Sequence, residues 1–378
     1  MSELPGDPNR ESIPLLLART SRRMEQERRD SRGDAGVRAP LRVPSTRGEL
    51  GGPLGSLRSR LGALGVVAAA VLVLFAVFAD MLASDFPIAC RLNGRFWLLP
   101  NVTQPAELVA LGGARVAAES TWKISPLVPH GPRSSVAPGI GEQGPAAGRA
   151  ARPPGAGHPF GVDLYGRDVF ARVVHGTRSY FVFALAAVIA SLLLGGALGS
   201  LAGAFAGPTD ALVGRAIETV SAFPPLVLVL GIQAAVPRAT LVTLFFAIAL
   251  TRWPEVARLV RAEVVQVATR DYVLAARALG ASPLRVLRRH VVPNVRGQLV
   301  VLGAIGLPAV MLIEASLDFL RIGVPGGAAS WGETMSEYRD APHAWWLLLF
   351  PGVFLFLTVV ALNQVGEARR ESLDPRAR

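Results

Sequence analysis

The sequence has one lysine and one cysteine in 378 residues, and each scarcity removes a class of function. A phosphate-binding P-loop needs a Gly-Lys-Ser/Thr run whose lysine neutralises the phosphates. Lys123 lies between Trp122 and Ile124, so the chain holds no such loop, and any ATP it depends on must be bound by another chain. Cys90 alone makes neither an internal disulfide nor a cysteine-cluster metal site, and it reads as a small inert thiol. The five histidines, His130, His158, His175, His290 and His343, form no His-x-x-x-His pair, and no Gly-x-Ser-x-Gly elbow is present. No catalytic residue, metal ligand or cofactor is therefore expected in this chain. Charge is sparse as well, at 18% of residues against about 25% in an ordinary soluble domain.

What is abundant is apolar sequence, 51% of residues, with a positive mean hydropathy. About 20 consecutive apolar residues carry a helix across the hydrocarbon core. Leu61–Leu82 reaches that length with no charge before Asp80, and Tyr180–Ala206 with no charge at all. A third span is expected over Ile217–Val236, interrupted at Phe223-Pro224-Pro225, where the proline pair breaks the hydrogen-bond ladder. Thr240–Trp253, continuing as helix into Arg258 and Arg261, is the fourth; Gln298–Phe319 and Trp345–Gln364 follow. The expected fold class is an all-α polytopic membrane protein with about six transmembrane helices. Gly195, Gly199 and Gly203, with Gly207 just beyond, recur every four residues and line one helix face, where a neighbouring backbone can come close. Glu218, Glu314 and Asp318 fall near span ends, where an ordinary end-of-span carboxylate is the first reading and a structural or gating role the alternative.

The net charge of +11 is almost wholly arginine. Excess basic charge suits nucleic acid or an anionic membrane surface. Here the arginines flank apolar runs, so they read as setting membrane orientation, with no nucleic-acid partner. Short cytoplasmic segments hold the basic excess. About a dozen arginines precede the first span, and Arg258, Arg261, Arg270, Arg277, Arg285, Arg288, Arg289 and Arg296 lie between the fourth and fifth. Arg369, Arg370, Arg376 and Arg378 follow the sixth, whereas the short opposite loops carry only Arg238, Arg321 and Arg339. Both termini are thus expected in the cytoplasm. The organisation expected is a disordered Arg-rich tail (1–60), a first span (61–82), an external loop (83–178) with a Gly/Pro-rich section, a five-helix core (179–365) containing a cytoplasmic loop (262–297), and a cytoplasmic C-terminus (366–378). Two roles are open to the tail: holding the cytoplasmic side, or touching anionic lipid at about 1 kcal/mol per nearby basic residue.

The stretch from Arg270 to Asn294 is the most informative. Ala, Leu and Arg favour helix up to Leu279, and Gly280 suits the left-handed position that ends one. Ser282 then supplies an N-cap, Pro283 fits a first helical turn, and Pro293 marks the end of the second helix. A short small-residue helix below a membrane domain fits a groove of another protein, although an ordinary amphipathic interfacial helix has the same pattern.

This stretch resembles the cytoplasmic signature loop of ABC importer permeases, in which Glu-Ala-Ala is followed by Gly and later Pro. Ala275-Ala276, Gly280 and Pro293 stand at matching spacing, while Leu274 replaces the glutamate and removes one polar contact. The run His158-Pro159-Phe160-Gly161-Val162-Asp163-Leu164-Tyr165-Gly166-Arg167-Asp168, with Arg172 and Gly176, resembles the Gly-Arg-Asp signature of dipeptide/oligopeptide/nickel permeases. Trp253-Pro254 through Arg261, and Ala344-Trp345-Trp346 through Pro351-Gly352 with Asn363 and Leu373-Asp374-Pro375, are similar to the second of their two subunits. Asp85–Pro100 and Trp122–Pro126 resemble the extended loop of microcin C-type peptide permeases, and the first of these has the mixed apolar character of a small folded element.

The resemblance implies a type I importer bundle that forms part of a peptide pathway across the bacterial inner membrane. The partners it implies are a second homologous permease, two ABC ATPases that bind ATP and Mg, and an external substrate-binding protein. It also implies that Asp271, Tyr272, Ala275, Ala276, Arg277, Gly280, Ala281, Pro283 and Pro293 form the ATPase-coupling loop. Asp163, Gly166, Arg167 and Asp168 become an external element near the binding-protein dock. Two rivals come from other classes. An ion-coupled secondary transporter needs inverted repeats and intramembrane carboxylates, and a non-transporting membrane scaffold has no reason to keep the loop's spacing. An exporter would carry a fused ATPase.

Overall fold

The computed structural model describes residues 53–134, 151–205, 207–236, 240–323 and 329–373. The expected tail up to residue 52, the Gly/Pro-rich stretch 135–150, Arg238 and Asp374-Pro375 therefore lie outside the described residues. The chain divides into compact units 1–58 and 59–378, and of the first only the backbone of residues 53–58 is described.

Helix α1 (Pro53–Val77) begins inside the stretch expected as tail, and α2 (Ala79–Leu82) follows a break at Phe78. Strands β1 (Ala89–Leu92), β2 (Arg95–Leu98) and β3 (Trp122–Ile124) then form an antiparallel sheet in the order β2-β1-β3. Between β2 and β3 lie the short helices α3 (Pro100–Thr103), α4 (Ala106–Leu111) and α5 (Gly113–Glu119). Cys90, Leu92, Leu108 and Val116 bury together beneath Phe86 and Trp97, so this stretch carries a small core and its cysteine belongs to that core. The sheet is an addition within the loop. The architecture of the described chain is helical.

Helix α6 (Val169–Ala204) starts well ahead of Tyr180, because Asp168 caps it with a side chain that accepts the Ala171 N–H. Helices α7 (Pro208–Ser221) and α8 (Pro225–Ala235) meet at an 85° bend, the break expected at the proline pair. Helix α9 (Leu241–Ala268) is continuous through Arg258 and Arg261 and opens on a Thr240–Thr243 capping box. There follow α10 (Asp271–Ala278), α11 (Pro283–Val286), a π-turn (Leu287–Val291), α12 (Val292–Phe319), α13 (Trp331–Glu337) and α14 (Trp346–Leu373).

By length and composition three described helices can cross a membrane, and a fourth if α7 and α8 are one broken span. Helix α9 has 28 residues, but Arg252, Glu255 and Arg258 interrupt its apolar character. Helix α1 offers only Gly62–Val77 among described side chains. Each of the six expected segments is nonetheless mostly helical over its described residues. Pro293 does not end a helix, contrary to its expected role: the chain runs helically from Pro283 to Phe319. Proline has no N–H to give the carbonyl one turn back, and the irregularity is taken up by the π-turn just before it, where the Val292 N–H reaches the Leu287 carbonyl.

The glycine stripe sets the position of α6 against α9. A Cβ on Gly195 would stand 2.5 Å from the Trp253 carbonyl oxygen, and one on Gly199 2.4 Å from that of Ala257. On Gly203 it would stand 2.8 Å from the Val264 Cβ. The contacts advance together along both helices, so the pair runs parallel at backbone distance. Gly207 departs from the stripe: it has φ of 89° and open space around its Cβ position, and it serves the turn into α7. Gly199→Leu is expected to destabilise the purified protein by at least about 1–3 kcal/mol, because the obstructing atoms are backbone. Gly214→Leu, at a position with open space, serves as the control. Equal melting temperatures for the two variants in detergent would contradict the seam.

Candidate functional site

Three clusters, the first of them an exposed turn, concentrate the polar chemistry of the fold. The exposed turn is the 271–283 helix–turn–helix. Gly280 has φ of 81°, its N–H reaches the Arg277 carbonyl, and the Ala281 N–H reaches that of Ala276. This pair of bonds closes a helix end and requires a residue that accepts left-handed backbone. Ser282 occupies the position before α11 but makes no side-chain cap, so Pro283 alone prepares that first turn. Val273 is fully buried against Val260, Val264 and Val267 of α9 and against Val286 and Val291. The Tyr272 hydroxyl accepts from Asn294 Nδ2 at 3.0 Å, tying the loop back to α12.

Asp271, Tyr272, Ala275, Arg277, Gly280 and Pro283 are exposed, and Ala276 and Ala281 are half-buried. They share one continuous turn. Pro293 lies beyond the π-turn on α12 and is not part of that tip. Leu279 is 89% exposed, and Leu274 and Leu284 are also exposed. Three exposed leucines around this hydrogen-bonded turn make an apolar knob of the kind that another protein covers.

The second cluster joins the Asp163–Asp168 motif to α13. Asp163 is fully buried. Its Oδ1 accepts the N–H groups of Tyr165 and Arg167 at 2.9 and 2.8 Å, and its Oδ2 accepts Arg167 Nε at 2.6 Å. Gly166, at φ of 77°, lets the chain turn back for this. Arg167 also donates to Glu337 Oε1 at 2.8 Å and Glu333 Oε1 at 3.3 Å. Arg172 pairs with Glu333 at 3.0 Å and donates to the Thr334 hydroxyl. The Leu164 N–H donates to Glu337 Oε2 at 3.0 Å. Asp168, which caps α6, meets His158 Nδ1 at 2.6 Å.

The electrostatics follow from the tally of charges, two guanidiniums against three carboxylates. Burial works against the Arg167 charge, but Asp163, Glu337 and Glu333 outweigh it and raise its pKa above the usual arginine range. Burial likewise pushes Glu333 up, but Arg172 and Arg167 bring it below the ordinary glutamate value. Glu337 is the acid in excess: burial, then the neighbouring Asp163 charge, raise it to about 8.

The third cluster lies within the spans. Glu314 is buried, and Asp318, half-buried, accepts from the hydroxyls of Tyr180 and Ser330. Glu218, the remaining carboxylate among the candidates, is exposed.

The sequence reading missed Glu333 and Glu337, which complete the clamp from about 170 positions downstream. A local sign of their helix was present. Ser330-Trp331-Gly332-Glu333 is a Ser-x-x-Glu start signal, and the Ser330 hydroxyl accepts the Glu333 N–H.

A bundle with at least three apolar helices long enough to cross a bilayer defines a multi-pass membrane protein. The family model described as the binding-protein-dependent transport system inner membrane component matches residues 195–378. The oligopeptide transport system permease protein OppC of Bacillus subtilis is 37% identical over 230 residues, 61% of this chain and 75% of the relative. The dipeptide transport system permease protein DppC of the same organism is 36% identical over 229 residues, 60% of this chain and 71% of the relative. DppC of Alkalihalophilus pseudofirmus is 34% identical over 224 residues, covering 59% and 73%. The chain belongs to the permease family of binding-protein-dependent transport systems, in its second-permease, OppC/DppC type.

The clamp carries a pH signature. Between the ordinary glutamate pKa of 4.5 and about 8 the folded protein holds a proton on Glu337 that the unfolded chain releases, so stability falls as pH rises through that window. Glu337→Gln should flatten this slope in melting experiments at pH 5 to 9. Asp163→Asn, which strips a buried partner from Arg167, should cost about 3–5 kcal/mol. A wild-type slope unchanged in Glu337→Gln would contradict the assignment.

Proposed function

We propose that this chain is one of two permease subunits of an ATP-driven importer that takes peptides across the bacterial inner membrane. Six helices cross the bilayer with both termini in the cytoplasm. Partner subunits bind and hydrolyse ATP with Mg, this chain carries no ATP-binding motif of its own, and an external binding protein delivers the cargo. The names of the relatives support the peptide cargo.

The single observation that carries the coupling part is the apolar knob on a glycine-closed turn. Leu279 stands at its tip, and Val273 anchors it to α9. The turn spans α10 and α11, and it fits a groove on an ATPase subunit. A closing ATPase dimer would pull the knob, and through Val273 and the glycine seam would shift α9 and α6 as one body. At the other end of α6, the Asp163, Gly166, Arg167 and Asp168 clamp holds a fixed external surface near where the binding protein docks. Membrane lipid surrounds the spans.

Co-purification in mild detergent tests the docking. Gly280 faces open space, so an arginine there strains the backbone and projects into the partner. Asparagine tolerates the left-handed conformation and adds little bulk. A P-loop ATPase should come down with the wild type and with Gly280→Asn and should fall about tenfold or more with Gly280→Arg, the effect of ~1.4 kcal/mol. An ATPase that stays with Gly280→Arg as with the wild type would refute docking at this turn.

A further inference from the structure

Glu314 and Asp318 stand one turn apart near the C-terminal end of α12, on the wall of a cavity of about 440 Å³. Val182, Phe183, Leu241 and Leu244 supply an apolar lining. Glu314 is only 6% exposed, and its Oε2 has no hydrogen-bond partner among the described residues. A buried carboxylate oxygen without a donor is costly, and ionisable groups inside a membrane bundle usually mark the path of a substrate or ion. Asp318 is held on the same wall by the Tyr180 and Ser330 hydroxyls, at 3.2 and 2.5 Å. The arginine that shares the cavity, Arg178, is committed elsewhere. It pairs with Asp80 at 2.8 Å and donates to the Ala76 and Val77 carbonyls. Among the described residues no salt bridge reaches Glu314 or Asp318.

An acidic wall facing an apolar chamber matches a ligand that is cationic at one end and apolar beside it. A primary ammonium offers three N–H donors and a positive charge, and the side chain next to it can take the apolar lining. A hydrated metal ion would gain little from walls of valine, leucine and phenylalanine. We propose that Glu314, with Asp318, receives the terminal α-ammonium of the transported peptide while its first side chain packs against Val182, Phe183 and Leu244. This rests on the peptide-import reading above and assigns a step of recognition to the membrane domain itself.

The test uses the full chain assembled with its partner subunits in nanodiscs, and equilibrium binding of radiolabelled trialanine and N-acetyl-trialanine. Acetylation keeps the side chains and removes the ammonium. The wild type should prefer the free amine by about tenfold or more, the worth of a charged hydrogen bond. Glu314→Gln, its assembly verified by co-purification, should bring the ratio to within about twofold of unity, and Glu314→Asp should give an intermediate ratio. A wild-type ratio near unity overturns the proposal, as does a ratio retained in Glu314→Gln. Binding of radioactive sodium that Glu314→Gln abolishes while the peptide ratio persists overturns it in favour of an inorganic cation. ATP-driven uptake of trialanine with the binding protein present is measured in parallel. Uptake without amine discrimination sinks only this site, whereas no uptake of any peptide sinks the import reading as well.

Discussion

The contact of α6 with α9 allows no side chain at three successive turns, and the other described parts of the core are arranged around it. Gly195, Gly199 and Gly203 bring one backbone onto the carbonyls of Trp253 and Ala257 and onto Val264. In a lipid surround, helices gain little from burying apolar surface, and close packing carries their association. A seam with no side-chain padding also leaves little room to slide. Because the two helices are parallel, their C-terminal ends emerge on the same side, and the N-terminal end of α6 lies opposite. What α9 carries at its C-terminus is thus mechanically joined to what α6 carries at its N-terminus.

The two ends use opposite chemistry. At the N-terminal end of α6, buried charges do the holding: Arg167 and Arg172 bridge Asp163 to Glu333 and Glu337, and Trp331 of the same short helix stacks on Tyr180 at 4.8 Å and donates to the Val173 carbonyl. Such a network is intolerant of losing one partner, which suits a surface that must keep its shape. At the C-terminal end of α9 the turn is held by backbone bonds and a buried valine, and its leucines face outward. Such a knob gains its stabilisation when another surface covers it. The proposed transport cycle asks for that division, with one end fixed and the other available to a moving partner.

Much of this was legible in the residues because it is local. The four-residue glycine spacing, the Pro224-Pro225 break and the Gly280 turn each depend on conformational preferences within a few positions, and each is found in the structure. Gly207 continued the spacing but not the packing, since Pro208 starts a new helix and the chain must turn there. Pro293 misled because a proline next to a span reads as a helix end, whereas a π-turn absorbs it. The clamp was half visible. Asp163, Gly166, Arg167 and Asp168 are near neighbours, but nothing in their spacing says that two glutamates about 170 positions away share their guanidinium. The sheet within 83–134 was hidden for a related reason, as its strands are short and β1 pairs with a β3 strand 31 to 35 positions on.

The claim on which the account turns is that the 271–283 turn touches an ATPase. Cys90 is the only cysteine and is fully buried, so Leu279→Cys supplies one accessible thiol at the tip. It can be labelled with a maleimide photocrosslinker in native membranes and illuminated. The expected result is a crosslinked product that contains this chain and a P-loop ATPase, and that disappears when the ATPase subunits are stripped away beforehand. Efficient labelling with crosslinks only to lipid or to a second permease would contradict it.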